Sequence, residues 1–314
     1  MFYSQHHSQH NELNHNKNDK RQDMLTVGFI GLGIMGLPMA GHLQKAGYAL
    51  QVYNRTQSKG DELVHAGAKR ALTPAEAADG ADIVITIVSD SPQVEAVVFG
   101  DNGAAETIKK GALLIDMSTI SATATREFAD KLASKGVHML DAPVSGGDVG
   151  AINATLTIMA GGEPEQFERA KPLFDVMGSK ATLLGGIGSG QVTKSCNQIL
   201  VVTALVGVCE ALLLAEKQGL DLEKAISALT GGAANSYQLD VLGPKVATGD
   251  YAPGFMVDLV VKDLHIVQQV AQTSGLSLEA TNMVTRYFEK LQRDGRGSLG
   301  TQALNEVCRE VATQ

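Results

Sequence analysis

A glycine-rich turn between an apolar run and a helical pattern limits what the first half of this chain can fold into. The run is Val27 to Ile30, and three glycines, Gly31, Gly33 and Gly36, follow it in G-x-G-x-x-G spacing. In such a unit the first glycine permits a tight turn, the second lets a pyrophosphate approach the backbone, and the third lets helix and strand pack closely. A second β-type run, Ala49 to Tyr53, completes the pattern of a dinucleotide-binding unit.

The residues after that second run indicate which dinucleotide binds. No acidic residue is present to accept a hydrogen bond from a ribose 2′-hydroxyl, because the sequence reads Asn54-Arg55-Thr56. Arg55 can bind a 2′-phosphate through its forked donors, although an arginine in a turn can also be merely solvated. The pattern favours NADP over NAD. The candidate cofactor-binding residues here are Gly31, Leu32, Gly33, Ile34, Met35, Gly36, Asn54, Arg55 and Thr56.

β-type runs and helical patterns alternate from Met24 to Leu184. The alternation predicts an α/β Rossmann-type doubly wound domain with a largely parallel sheet and helices on both faces. The later strand candidates are Ile83–Val88, Ala112–Ile115, Val137–Leu140, Thr155–Ala160 and Ala181–Leu184. The helix candidates among them include Ser91–Val98, Ala122–Ala133 and Glu163–Val176.

A glycine-rich run at residues 185–190 marks the predicted domain boundary. Beyond it strand signals disappear, and long helical patterns predict an all-α C-terminal domain. The predicted division is a disordered polar tail at 1–23, an NAD(P)-binding Rossmann domain at 24–187 and a helical substrate and oligomerisation domain at 188–314. The helical patterns are Thr193–Gln218, Leu222–Leu229, Val257–Ser274, Leu278–Gln292 and Gln302–Val311.

Charge and composition argue against nucleic-acid and membrane binding. The net charge is −8, there is no Trp, and no basic stripe is present. The most apolar stretch, Ile199 to Ala215, is interrupted by Glu210, which favours a core or an oligomer interface over a membrane span. The three cysteines lack C-x-x-C spacing and residues 1–23 lack an apolar signal segment, so we expect a cytoplasmic protein with no structural metal.

Lys194, at the start of the longest apolar helical pattern, is the candidate catalytic acid. Partial burial and the positive end of the helix dipole would both lower the pKa of its amine, as proton donation to a carbonyl oxygen requires. The residues alone leave open a lysine that extends from a helix end and covers apolar surface with its stem. Asn197, three positions on, shares a helix side with Lys194 and could orient the lysine or a substrate hydroxyl.

Two stretches that follow predicted strands are candidate ligand sites. Ser145, Gly146 and Gly147 offer a hydroxyl and unobstructed N–H groups to a carboxylate, at the edge of the sheet where ligands of open α/β folds bind. The stretch from Asp116 to Thr119 ends another strand, and Thr119 could reach the nicotinamide side of the cofactor.

Taken together with Lys262-Asp263 further on, these motifs resemble the β-hydroxyacid dehydrogenase family in kind and order, over about Met24 to Val311. The resemblance implies an NAD(P)-dependent oxidoreductase whose Rossmann domain is joined by a long helix to an α-helical domain, assembled as a homodimer or homotetramer. It identifies Lys194 as the catalytic acid/base, with Asn197 beside it. Lys262 matches a lysine at the cofactor site, although such a Lys-Asp pair more often lies on a helix surface.

The resemblance extends the set of site residues and also shows departures. The family often has Leu-Pro where this chain has Val88-Ser89, and Gly300 and Gln302 replace a C-terminal Asp and Ser. The turn after the second strand is similar to that of NADPH-using glyoxylate and succinic semialdehyde reductases. The implied substrate-binding residues are Ser118, Ser145, Gly146 and Gly147. The further cofactor-binding residues are Val88, Ser89, Thr119 and Lys262.

These observations predict an NADP-preferring reductase of a short carboxylate-bearing semialdehyde, reversible as a 3-hydroxyacid dehydrogenase. The expected activity is that of a 2-hydroxy-3-oxopropionate (tartronate semialdehyde) reductase. The alternatives within the family are a 3-hydroxyisobutyrate dehydrogenase and a glyoxylate or succinic semialdehyde reductase. Two alternatives of other classes are an imine reductase, which usually lacks the lysine, and a non-catalytic binding scaffold.

Overall fold

A computed structural model describes residues 25–313, and the polar tail predicted at 1–23 lies outside them. The strands of this part are β1 (Thr26–Ile30), β2 (Ala49–Tyr53), β3 (Lys69–Arg70), β4 (Ile83–Thr86), β5 (Leu113–Asp116), β6 (His138–Asp141), β7 (Val144–Ser145), β8 (Leu156–Ala160) and β9 (Gly178–Leu183). The α-helices are α1 (Gly36–Lys45), α2 (Asp61–His65), α3 (Pro74–Ala78), α4 (Ser91–Phe99), α5 (Ala122–Ala133), α6 (Gly147–Ile152), α7 (Pro164–Met177), α8 (Ser189–Lys217), α9 (Leu222–Thr230), α10 (Gly243–Thr248), α11 (Val257–Thr273), α12 (Glu279–Arg293) and α13 (Leu304–Ala312).

The first six strands form one parallel sheet in the order β3-β2-β1-β4-β5-β6. Successive side chains of a strand point to opposite faces, so Phe29 packs in the core on one face and Ile30 in the core on the other. Helices α1 and α7 contribute to the first core, and α3, α4 and α5 to the second. The predicted doubly wound Rossmann fold is confirmed.

The last three strands form a separate small sheet in the order β7-β8-β9, which the alternation of strands and helices did not predict. Strand β7 pairs antiparallel with β8, and β8 pairs parallel with β9. The connection between β7 and β8, residues 146–155, is shorter than the dozen or so residues that a parallel crossover requires. The chain therefore turns back beyond the end of β6, and this turn forms one wall of the site described below.

Helix α8 connects the two halves of the molecule. It begins at Ser189, earlier than the predicted start at Thr193. The residue before it, Gly188, adopts a left-handed conformation with φ of 87°, so the helix does not extend further towards the N-terminus. Its first turns contact β8, and its later turns pack against α11, α12 and α13. Buried side chains of these four helices form the C-terminal core, with Leu205, Leu264, Phe288 and Val307 among them. The predicted all-α C-terminal region is confirmed.

The length and apolar character of α8 also bear on membrane binding. Within residues 25–313, α8 is the one helix long and apolar enough to cross a bilayer, and 50% of its most apolar window is buried inside the molecule. Because the core helix of a soluble protein passes the same test, α8 is weak evidence for a membrane span.

Candidate functional site

The glycine turn has the geometry that the sequence predicts. Gly31 has φ of 105°, and a side chain there would collide with the carbonyl oxygen of Ile87. A side chain at Gly36 would collide with the Gly31 carbonyl oxygen. At Gly33, by contrast, an added Cβ would have no heavy atom of the described chain within 4 Å. The turn is thus closed on two sides and open at Gly33.

The N-terminus of α1 lies at this open side. Its first turn contains no acidic residue, and no side chain within residues 25–313 caps it. Unpaired N–H groups and the helix dipole together make such a terminus suitable for a phosphate group. The glycine turn therefore fits the pyrophosphate of a dinucleotide, and its residues remain the predicted cofactor-binding set.

The predicted 2′-phosphate residues follow β2. Asn54 Oδ1 accepts a hydrogen bond from the Leu32 N–H at 2.9 Å, and Asn54 Nδ2 donates to the Thr56 carbonyl at 2.9 Å. The Asn54 amide thus ties the glycine turn to the end of β2. Arg55 is exposed and forms no hydrogen bond or ion pair with any other residue that the structure describes. Its guanidinium is free to bind an anion beside the glycine turn.

Ser118 joins the ends of two neighbouring strands. Its side chain is buried, its Oγ accepts a hydrogen bond from the Val88 N–H at 2.9 Å, and its own N–H donates to Asp116 Oδ1 at 3.2 Å. Thr119, next to it, is half-buried, whereas Ser89 is exposed. The predicted substrate role of Ser118 stays a prediction; what the geometry describes is a serine that fixes the turns after β4 and β5.

Two buried aspartates, Asp116 and Asp141, lie opposite each other in the register of β5 and β6, and neither is among the predicted site residues. Burial raises the pKa of Asp116 from its ordinary 3.8 to about 6, and it raises that of Asp141 likewise to about 6. Asp141 Oδ1 and Oδ2 accept hydrogen bonds from the N–H groups of Gly188 and Gln191, at 2.7 and 2.9 Å. Asp141 thereby anchors the start of α8 to the end of the large sheet.

The turn from Ser145 to Gly147 faces α8. Gly146 and Gly147 have φ of 129° and 63°, which side-chain-bearing residues rarely adopt. Ser145 Oγ lies 3.4 Å from Asn197 Oδ1, at the long end of hydrogen-bond distance. The structure therefore brings the predicted carboxylate-binding turn and the predicted Asn197 together, although they are far apart in sequence.

Lys194 lies beside the same turn. The residue is 8% exposed, and its Nζ donates to the Val144 carbonyl at 2.9 Å. Desolvation lowers the pKa of the Lys194 amine; Asp263 opposes this shift and Lys262 adds to it. The expected contribution of the helix dipole is wrong, because Lys194 is in the second turn of α8 and the dipole effect fades within the first.

Lys262 and Asp263 are not a surface pair. Lys262 Nζ lies 2.7 Å from Asp263 Oδ1 and donates to the Thr119 carbonyl at 2.7 Å, and the Asp263 side chain is 4% exposed. The bond to Thr119 connects α11 of the helical region to the turn after β5. Lys262 is thus next to the stretch that the resemblance places at the nicotinamide.

Two buried glutamines of α8, Gln191 and Gln198, adjoin these groups, and neither is among the predicted site residues. Gln191 Nε2 donates to the Ser118 carbonyl at 2.8 Å, and its Oε1 accepts from the Ile120 N–H at 3.1 Å. Gln198, seven residues on and so on the same helix face, contacts Asn197 and Asp263. Two amide side chains seven residues apart in a largely apolar helix could have indicated a buried polar contact, since buried amides need hydrogen-bond partners.

The arrangement combines an amine of lowered pKa with a hydroxyl and the N–H groups of a glycine turn. These are groups that can donate a proton to a carbonyl oxygen and hold a carboxylate nearby. Among residues 25–313, no group of three or more His, Cys, Asp or Glu side chains is placed to hold a metal ion.

Two family models together match most of the chain. One, described as the NAD binding domain of 6-phosphogluconate dehydrogenase, matches residues 26–186. The other, described as NAD-binding of NADP-dependent 3-hydroxyisobutyrate dehydrogenase, matches residues 188–308.

Relatives of known name match over nearly their whole length. The chain is 42% identical to the 2-hydroxy-3-oxopropionate reductase of Escherichia coli over 288 residues, 92% of this chain and 98% of the reductase. It is 38% identical to the NAD-dependent L-serine dehydrogenase of Pseudomonas aeruginosa over 279 residues, 87% of this chain and 94% of the dehydrogenase. The solved structure of Mycobacterium tuberculosis 3-hydroxyisobutyrate dehydrogenase with L-serine is similar with a TM-score of 0.82 and 30% identity, covering 91% of this chain and 99% of that one.

Proposed function

Because the chain belongs to the β-hydroxyacid dehydrogenase family and is therefore an NAD(P)-dependent oxidoreductase acting on CH–OH groups, we propose that it reduces a short carboxylate-bearing semialdehyde to a 3-hydroxyacid, reversibly. The proposed substrate is 2-hydroxy-3-oxopropionate, and the proposed cofactor is NADPH in preference to NADH. The observation that carries the proposal is the buried Lys194 amine beside the Ser145 turn.

The proposed mechanism assigns a task to each group of the site. The hydride for the aldehyde carbon would come from a reduced nicotinamide when the cofactor is bound. Lys194 Nζ gives a proton to the aldehyde oxygen as negative charge develops there, and desolvation of the amine favours this transfer because it weakens the hold on the proton. Ser145 and the N–H groups of Gly146 and Gly147 hold the substrate carboxylate, which places the carbonyl oxygen near the amine.

The NADPH preference rests on Arg55 and on the absence of an acidic residue in the turn after β2. An Asp or Glu there would repel a 2′-phosphate, whereas a planar guanidinium can bind two of its oxygens at once. The name of the second family model, which refers to an NADP-dependent enzyme, is consistent with this preference.

A second candidate substrate is L-serine, itself a 3-hydroxy acid. The observation that favours it is the 38% identity to a protein named NAD-dependent L-serine dehydrogenase. An imine reductase or a binding scaffold is less well supported, since Lys194 and Ser145 are both present and adjacent to one carbonyl group, that of Val144.

We also propose that two copies of the chain assemble through α8, in a soluble cytoplasmic protein. Residues 24–187 would bind the cofactor, and residues 188–314 would complete the substrate site and the subunit interface. The outer face of α8 carries Leu200, Gly207 and Leu214, all exposed, at the heptad-like spacing of helix pairs. Light scattering after gel filtration tests this: wild type should be a dimer or tetramer, and Leu200→Glu should shift it towards monomer.

Initial rates of NADPH and NADH oxidation test the enzymatic proposal. The substrates are tartronate, methylmalonate and succinic semialdehydes and glyoxylate, with L-serine and NADP⁺ or NAD⁺ in the reverse direction. We expect tartronate semialdehyde to react fastest, with NADPH preferred. If no semialdehyde reacts while a dinucleotide still binds, the substrate proposal is wrong. If L-serine is the better substrate, the second candidate replaces the first.

A further inference from the structure

We infer that Gln198 is a positioning residue that fixes the Asn197 amide with its oxygen towards the substrate, so that the site selects substrates that donate a hydrogen bond there. The inference rests on the proposed function, because it concerns how a semialdehyde is recognised.

The orientation of Asn197 follows from its bond to Gln198. Gln198 is 2% exposed, and its Oε1 accepts a hydrogen bond from Asn197 Nδ2 at 2.8 Å. An amide nitrogen can only donate and an amide oxygen can only accept. With its nitrogen bound to Gln198, Asn197 presents Oδ1 to Ser145 and to the space around it.

The orientation of Gln198 is fixed in turn by charge. Its Nε2 donates to Asp263 Oδ2 at 2.6 Å, while Asp263 Oδ1 lies 2.7 Å from Lys262 Nζ. A buried carboxylate requires donors, so an inverted Gln198 amide would set its oxygen against the Asp263 oxygen. Asn197 therefore donates to Gln198 and Gln198 donates to Asp263, while the Lys262 amine lies against the other oxygen of Asp263.

The direction of these hydrogen bonds determines which group of the substrate can bind beside Asn197. If the Ser145 hydroxyl donates to the substrate carboxylate, as proposed, then Asn197 Oδ1 is left as an acceptor without a donor from Ser145. A hydroxyl or ammonium group on the substrate carbon next to the carboxylate would satisfy it, whereas a methyl group would not. Leaving this acceptor unpaired in the bound complex corresponds to a preference of roughly fivefold to hundredfold for the hydrogen-bonding substrate.

The test measures kcat/KM for tartronate semialdehyde, which carries a hydroxyl at that carbon, and for methylmalonate semialdehyde, which carries a methyl group. We expect wild type to have the higher kcat/KM for tartronate semialdehyde. Gln198→Met should reduce the ratio of kcat/KM for tartronate semialdehyde to that for methylmalonate semialdehyde about tenfold, mainly by lowering kcat/KM for tartronate semialdehyde. In an Asn197→Ala background, Gln198→Met should change the ratio no further. Gln166→Met, at a buried glutamine of α7 remote from these contacts, is the matched control and should leave the ratio unchanged.

Gln198→Glu gives an independent readout in case Gln198→Met does not fold. While it is protonated, the introduced carboxyl group can still accept from Asn197 and donate to Asp263, whereas two ionised carboxylates would repel each other. The charged groups near this pair are Asp263, Lys262 and Lys194. We expect the variant to keep the wild-type ratio at low pH and to lose it as pH rises, while wild type keeps a constant ratio.

The outcomes separate the inference from the proposed function. If wild type reduces neither semialdehyde, the proposed function fails. If wild type reduces both but prefers the methyl-bearing substrate, or if Gln198→Met lowers both rates by the same factor, the positioning role is wrong and Gln198 is structural. A Gln198→Glu ratio that does not vary with pH would also overturn it. Circular dichroism and the melting temperature of each variant establish that it is folded.

Discussion

The two ends of the candidate site are built from different groups. The proposed cofactor end consists mainly of backbone from one strand-turn-helix-strand unit, closed at Gly31 and Gly36 and open at Gly33. The proposed substrate end combines the Ser145–Gly147 turn with side chains from separate elements, with Lys194 on α8 and Asp263 on α11. The cofactor end should therefore be sensitive to added atoms, and the substrate end to the chemical identity of each side chain.

The largest effect is expected at the substrate end, from Lys194→Ala. The change removes the proposed proton donor while leaving the glycine turn intact, so kcat should fall by about 10²- to 10⁴-fold with NADPH affinity nearly unchanged. Steady-state kinetics with tartronate semialdehyde and fluorescence titration with NADPH measure the two quantities. Lys180→Ala, at an exposed lysine of β9, is the control. Turnover close to wild type would remove Lys194 from the mechanism.

A smaller effect, on NADPH affinity instead of kcat, is expected from Gly33→Ala at the cofactor end. The added methyl group meets no atom of the described chain, so the melting temperature should stay the same. It would occupy the space proposed for the pyrophosphate, and overpacking of about 1 to 3 kcal/mol corresponds to roughly a tenfold to hundredfold loss of NADPH affinity.

Gly31→Ala provides the comparison for that experiment. Here the methyl group would collide with the Ile87 carbonyl, and φ of 105° is strained for alanine, so both stability and binding should fall. Calorimetry of binding and thermal unfolding of the two variants measure this difference. Equal destabilisation of both variants would show that Gly33 is constrained by the protein and not by a ligand.

Arg55 is a side chain at the cofactor end, which otherwise consists mainly of backbone. Arg55→Gln therefore tests how much a side chain contributes to cofactor recognition there. Loss of a charge-assisted hydrogen bond costs about 1.5 to 3 kcal/mol, so the KM for NADPH should rise about tenfold or more while that for NADH stays the same. The ratio of kcat/KM for the two cofactors is the measurement. A parallel change for both would mean that Arg55 contacts a part that NADPH and NADH share.

The sequence predicted the cofactor end more completely than the substrate end, because the first depends on local patterns and the second on contacts between distant segments. The unit from β1 to β2 was predicted from local patterns, because all its determinants lie within one short segment and each glycine has its own geometric reason. The small sheet was not predicted in this form. Strand β7 has two residues, too few for a periodic pattern, and its pairing with β8 depends on the turn after β6.

At the proposed substrate end the sequence predicted residues but not their contacts. Lys194 and Asn197 were predicted from their place in an apolar helix and from the family resemblance. Gln198 and Asp263 were assigned no chemical role. Their hydrogen bond depends on the packing of α8 against α11, which brings Gln198 Nε2 to 2.6 Å from Asp263 Oδ2. Partners separated by 65 residues leave no local signal in a single sequence.

A change in stability is expected at the end of β5, at Asp116. Its Oδ1 accepts a hydrogen bond from Thr86 Oγ1 at 2.8 Å, whereas its buried Oδ2 has no partner among residues 25–313. Because burial raises the pKa of Asp116 from 3.8 in the unfolded chain to about 6, folding favours the protonated form. The stability associated with this proton is present below pH 3.8 and is lost as pH rises through about 6.

Asp116→Asn removes that titration while keeping an acceptor for Thr86. We expect the variant to be more stable than wild type at pH 8, by on the order of 3 kcal/mol, with the difference shrinking towards pH 5 because wild type gains the proton there. Urea unfolding at several pH values between 5 and 8 measures it, with Asp130→Asn on the exposed side of α5 as the control. Parallel stability curves for Asp116→Asn and wild type would contradict a raised Asp116 pKa. They would mean that the turn after β5, which carries Ser118 and Thr119, is held by an aspartate that is ionised throughout this range.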